Sequence, residues 1–152
     1  MADEASQATR ILCVCLGNIC RSPTAEAVLR HKAKASVTID SAGTGNWHVG
    51  KPPYGPAVTA AVARGYDLSP LRARQFSTTD FEEFDLILAM DRQNKADIEA
   101  MRPNDSKTPV KLMTAFASGL PTEVPDPYYT GDFEEALDLI EAASDAVLKT
   151  LD

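Results

Sequence analysis

Two rhythms of apolar positions divide the chain. Thr9–Val14 is largely apolar and rich in branched residues, as expected of a strand covered on both faces. A helix is predicted over Pro23–Ala35, with Ser22 as its N-cap and Pro23 as its first residue. Val37–Ser41 reads as a second strand and runs into a glycine-bearing loop, Ala42–Pro56, which holds the single tryptophan, Trp47. Ala57–Arg64 has helical spacing and is stopped by Gly65. A short acidic helix over Thr79–Phe84 leads into the strand Asp85–Met90, and a helix over Arg92–Met101 ends ahead of Pro103. Val110–Met113 is the last strand. A long loop then carries Pro125–Tyr129, and an amphipathic helix over Phe133–Leu151 closes the pattern, with Leu137, Ile140, Ala143, Val147 and Leu151 on one side.

Strands that alternate with helices call for crossovers and hence parallel pairing. The expected fold is a single doubly wound α/β domain whose four-stranded parallel sheet, order 2-1-3-4, has helices on both faces. Residues 9–152 form that domain and residues 1–8 are expected to be a flexible tail. With 152 residues and 44% hydrophobic content the chain is long enough to bury one core. No apolar run has the length of a membrane span, and Met1–Gln7 lacks the features of a secretory leader, so a cytoplasmic protein is expected.

The net charge of −7 argues against nucleic acid as a partner. Three cysteines, Cys13, Cys15 and Cys20, do not make a disulfide framework. The two histidines, His31 and His48, have no ligand spacing, so neither a metal nor a cofactor is expected.

Ligands of such sheets bind beyond the carboxyl ends of the strands. That is where Cys15-Leu16-Gly17-Asn18-Ile19-Cys20-Arg21-Ser22 follows the first strand. Gly17 and Asn18 are the residue types that most readily take positive φ, so the loop is able to turn successive N–H groups inward around an anion. The following helix adds its positive end. Together these should bring Cys15 below the ~8.5 of a free thiol. Arg21 offers a planar fork to two oxygens, and the Ser22 hydroxyl is placed to donate to the sulfur. By residue type alone, Cys15 is either this nucleophile or a structural thiol at a strand end, whereas Cys13 is core. Asp126, between two prolines, is either a placed acid or an Asx turn. Trp47, Tyr128 and Tyr129 come from loops, and Tyr129 reads equally as a cleft wall or a loop anchor.

The run Cys15–Glu26, together with Asp40–Thr44, Trp47, Met90-Asp91 and Asp126–Tyr129, resembles the low-molecular-weight protein tyrosine phosphatases from Arg10 onward. The resemblance implies metal-independent hydrolysis of phosphotyrosine through a phosphocysteine. Cys15 would be the nucleophile and Arg21 the phosphate ligand. Asp126 would be the general acid and then the base. Residues Leu16, Gly17, Asn18, Ile19, Cys20 and Ser22 would form the oxyanion loop, with Trp47 and Tyr128 walling a cleft for a phenyl ring. It also implies a reversible Cys15–Cys20 disulfide on oxidation, against the alternative of a packed free thiol at Cys20. Ser41 matches one member of the network that holds the loop asparagine in the family. Leu71 stands where many relatives carry a histidine, so a slightly less rigid loop is expected.

The implied partner is a phosphotyrosine-bearing protein, and bacterial relatives often oppose tyrosine kinases. Phosphate or another oxyanion would occupy the loop. Two rivals share the architecture. Arsenate reductases need further cysteines, and none follows Cys20. A phosphocysteine carrier of sugar uptake needs neither a general acid nor aromatic walls.

Overall fold

The computed structural model describes residues 9–151, so the tail expected over residues 1–8 lies outside the described residues. The strands are β1 (Thr9–Cys15), β2 (Val37–Gly43), β3 (Leu86–Ala89) and β4 (Val110–Leu112). They form one sheet in the order β2-β1-β3-β4, every pair parallel. The helices are α1 (Arg21–Lys32), α2 (Gly55–Val62), α3 (Asp80–Glu83), α4 (Arg92–Ala100), α5 (Pro127–Thr130) and α6 (Phe133–Lys149), with a 3₁₀ turn over Met113–Phe116.

The alternation of β1 explains the layering. Ile11, Cys13 and Cys15 point into a core with Val28 and Leu29 of α1 and Leu137, Ile140, Ala143 and Val147 of α6. Leu12 and Val14 point the other way, onto Phe76, Phe81, Phe84 and Ile98 of α4. Both faces of the central strand are therefore dry, which is why its sequence lacks the polar alternation of a half-exposed strand. Cys13 is fully buried, as expected of a core thiol.

Three local expectations are corrected. β1 runs one residue further than expected, to Cys15, because Cys15 still pairs with Gly43. Helix α1 begins at Arg21, so Ser22 is not its N-cap; that position falls to Cys20, which has no capping side chain. The Ser22 hydroxyl is instead turned toward the sulfur of Cys15, and Pro23 is tolerated in the first turn because its missing N–H would have no helical partner there. Residues 127–130, expected as loop, form α5, capped by Asp126.

Candidate active site

The site is assembled at the carboxyl ends of β1, β2 and β3, as the sheet topology requires. Residues 16–20 leave β1 as an irregular loop that closes at α1. Its carbonyls are held outward. Cys15 C=O accepts from Thr44 N–H at 2.9 Å and Leu16 C=O from Gly45 N–H at 2.8 Å. Ile19 C=O accepts from Tyr54 N–H at 2.8 Å, and Cys20 C=O from Thr24 N–H at 3.2 Å and Thr24 Oγ1 at 2.7 Å. In a planar trans peptide the next N–H points opposite to the carbonyl, so the amides of Leu16, Gly17, Cys20 and Arg21 are turned to the inner side. Asn18 takes φ of 57° and sends its own N–H to Cys15 Sγ at 3.3 Å.

The expectation of positive φ at Gly17 is corrected: among the described residues Asn18 alone of the loop is left-handed. Gly17 serves clearance instead, since a Cβ there would stand 3.0 Å from the His48 ring. Gly43 at the end of β2 has the same use, because a Cβ would come within 2.8 Å of Leu16 C=O.

Asn18 is the strut of the loop. Its Nδ2 donates to Ser22 Oγ at 2.8 Å and Ser41 Oγ at 3.0 Å, and its Oδ1 accepts from Arg74 N–H at 2.9 Å. Ser41 Oγ donates to Glu26 Oε1 at 2.7 Å, and Arg30 closes the chain on Glu26 Oε2 at 2.6 Å. Burial pushes the Glu26 carboxyl up, against the opposing pull of Ser41 and Arg30. Leu71 packs against the main core. The network therefore closes through Glu26 and Arg30, two residues not singled out in the sequence as its members.

Cys15 is 3% exposed and Ser22 Oγ lies 3.0 Å from its sulfur. Ser22 Oγ already accepts from Asn18, so its own hydrogen is left for Cys15 or for the more distant Ala42 C=O at 3.4 Å. Cys20 differs. Burial, then the charges of Asp126 and Cys15, push its thiol up to about 12. Burial, followed by the charge of Glu26, also pushes the Cys13 thiol upward.

Arg21 is 3% exposed, and its guanidinium is clamped by Asp91 Oδ2 at 2.7 Å, Val124 C=O at 3.0 Å and Asp126 Oδ2 at 3.4 Å. Burial alone would lower its pKa, but Cys15, Asp91 and Asp126 outweigh burial and raise it, fixing the charge. Buried Nε has no protein partner, the sign of a donor reserved for a ligand. Asp91 was missed as a site residue. It follows β3 and also caps α4 through Asn94 N–H at 2.7 Å, so its sequence signal reads as an ordinary helix start.

Asp126 reaches the site because Val124 N–H donates to Met90 C=O at 2.9 Å, tying the long loop to the end of β3. Its Oδ1 accepts from Tyr128 N–H at 3.0 Å. It is thus both the Asx-type cap and a side chain in the cleft; the two readings are one residue's two oxygens.

Leu16, Gly17, Ile19, Cys20 and Cys15 floor a cleft of about 320 Å³, walled by Trp47, His48, Asp126, Tyr128 and Tyr129. Gly45 makes room for the Trp47 ring, which a Cβ would overlap at 1.8 Å. Trp47 is 65% and Tyr129 76% exposed, which removes the reading of Tyr129 as a buried anchor. Tyr54, also missed, props the Tyr128 ring at 5.0 Å and packs on Phe133.

A family model described as low molecular weight phosphotyrosine protein phosphatase matches residues 10–152. The Bacillus subtilis low molecular weight protein-tyrosine-phosphatase YfkJ is 37% identical over 147 residues, 93% of this chain and 94% of its own. Its crystal structure matches with a TM-score of 0.89, covering 93% of each chain. A Schizosaccharomyces pombe low molecular weight phosphotyrosine protein phosphatase is 46% identical over 129 residues, 80% and 82% of the two chains. Wzb of Vibrio vulnificus, solved with benzylphosphonate, matches with a TM-score of 0.81 at 30% identity, covering 94% and 99%.

Proposed function

Because the chain belongs to the low molecular weight phosphotyrosine protein phosphatase family and is a hydrolase of that kind, we propose that Cys15, Arg21 and Asp126 perform the reaction. The phosphoryl group of phosphotyrosine sits in the loop of residues 15–22. Two of its equatorial oxygens face Arg21, and the inward amides take the rest. Cys15 Sγ attacks phosphorus as the phosphorus–oxygen bond to the ring breaks, and Asp126 gives its proton to the departing phenolic oxygen. Asp126 then takes a proton from water as that water attacks phosphorus. The sulfur leaves as thiolate, received by the Ser22 hydroxyl and the Asn18 amide.

The carrying observation is that Cys15 and Asp126 line one cleft, while the buried Arg21 guanidinium is held against Asp126 and keeps its Nε without a protein partner. The aromatic walls suit an aryl phosphate, in keeping with the Vibrio relative's benzylphosphonate, a ligand whose ring stands one atom from phosphorus as a phosphotyrosine ring does. A phosphocysteine carrier or an arsenate reductase is not favoured: no cysteine follows Cys20, and the cleft holds an acid and aromatic walls that a carrier does not need. The substrate class is a phosphotyrosine protein, a bacterial tyrosine kinase among the candidates. The cytoplasm is the setting that would keep the thiols reduced.

Hydrolysis of an aryl phosphate tests the assignment. Cys15→Ser is expected to release no phosphate. Asp126→Ala is expected to lose about 10²–10⁴-fold in kcat while inhibition by orthophosphate is unchanged. Substantial turnover by Cys15→Ser would overturn the mechanism.

A further inference from the structure

The loop that delivers Asp126 is tied down at several points, and one tie is made by a side chain that the reaction above does not use. Residues 117–126 run from the 3₁₀ turn to α5 and carry both Val124 C=O, which holds Arg21, and Asp126. Two ties are formed by the loop's backbone. Thr122 C=O accepts from the buried Thr114 Oγ1 at 2.6 Å, and Val124 N–H donates to Met90 C=O at 2.9 Å. A third belongs to half-buried Glu123, whose Oε2 accepts from Arg92 N–H at 2.8 Å. Arg92 is the first residue of α4, so its N–H is one of the donors a helix leaves without an internal partner, and the positive end of the helix favours a carboxylate there. Asp91 caps the same helix on Asn94 N–H and grips Arg21. The start of α4 therefore holds the guanidinium through Asp91 and the acid-bearing loop through Glu123.

Between Glu123 and Asp126 the chain has little freedom. The ring of Pro125 fixes its φ, and a residue before proline, here Val124, is restricted to extended conformations. A shift at Glu123 is therefore passed on to Asp126 rather than absorbed. Resting on the phosphatase reading, we propose that Glu123 is a positioning residue: by fastening the loop to α4 it sets the reach of Asp126 toward the leaving oxygen. The anion seat depends on other contacts, those of Asn18, Ser22 and Asp91, and does not need it. A displaced proton donor matters most where the departing oxygen is a strong base, as a tyrosine phenolate is. It matters little where the leaving group is acidic enough to depart without a proton.

The test compares kcat/KM for phenyl phosphate and for a dinitrophenyl phosphate, a parameter that covers the steps up to release of the phenol. Glu123→Ala is expected to lose about tenfold on phenyl phosphate, part of the roughly 10²–10⁴-fold that a general acid contributes, and less than about twofold on the dinitrophenyl ester. Glu123→Gln keeps an oxygen for Arg92 N–H and is expected to restore the wild-type value on both. In an Asp126→Ala background Glu123→Ala is expected to cost nothing further, since the group it positions is gone. Equal losses on the two esters, a loss that persists in the Asp126→Ala background, or no loss on phenyl phosphate overturns the proposal. So does a Glu123→Gln protein as slow as Glu123→Ala. A wild-type protein that hydrolyses neither ester would strike the phosphatase reading itself.

Discussion

Arg21 shows how much of this site rests on single side chains. A buried guanidinium is costly without partners, and Asp91 supplies the shortest of its bonds at 2.7 Å. Asp91→Asn keeps a good helix cap and loses the ion pair, so kcat/KM should fall by at least about tenfold, and Tm should fall as well because the buried guanidinium has lost a charged partner. An unchanged kcat/KM would show that Val124 and Asp126 hold Arg21 unaided. Cys20 carries a stability consequence. Its folded thiol is pushed up to about 12 by burial first, whereas an unfolded thiol titrates near ~8.5. The unfolded chain therefore releases this proton first. The stabilisation is complete below the unfolded value and is lost as pH rises toward the folded one. The fall in Tm between about pH 8 and about pH 10.5 should be steeper for the wild-type protein than for Cys20→Ala.

At the level of elements, the loops at the strand ends are fastened to one another rather than left to hang. The segment 73–76 is one such fastener. Arg74 N–H holds Asn18, and Gly43 N–H donates to Arg74 C=O at 2.9 Å. Gly50 N–H reaches Ala73 C=O at 2.8 Å, and the guanidinium of Arg74 bridges Asp40 and Asp80. Helix α6 is fastened differently. Its apolar side is buried, and Arg64 at the end of α2 grips Glu134, Asp138 and Glu141 on its polar side. This network is solvent-facing, so Arg64→Ala should cost only about 1 kcal/mol, seen as a fall in Tm of about 2–4 °C. Activity on aryl phosphate should be unchanged, because Arg64 touches nothing in the cleft.

For the molecule as a whole, an acidic protein presents an anion seat that is local and desolvated. A ligand that binds the folded state alone stabilises it by mass action. Orthophosphate at about one hundred times its Kd should add about 2.7 kcal/mol, a rise of several degrees in Tm. Arg21→Met should abolish the rise, and a rise of equal size in that variant would place the bound anion elsewhere.

The order of elements, the parallel sheet and the place of Cys15 and Arg21 were legible along the chain, because strand runs, turn residues and the Cys15–Arg21 spacing are properties of contiguous residues. The α1 start was misjudged for the opposite reason: Ser22 is a good cap by type, and only its approach to Cys15 and Asn18 across the loop redirects its hydroxyl. Asp91 and Tyr54 were not visible as site residues, since each meets its partner through a fold contact that no local pattern encodes, whereas Glu26 and Arg30 form a legible i,i+4 pair on α1 whose tie to Ser41 exists only once β2 lies beside that helix. Residue types and their spacing along the chain thus determined which chemistry was on offer. The packing of β1, β2 and β3 side by side decided which side chains took part, because hydrogen bonds between residues tens of positions apart exist only once the sheet has brought their ends together.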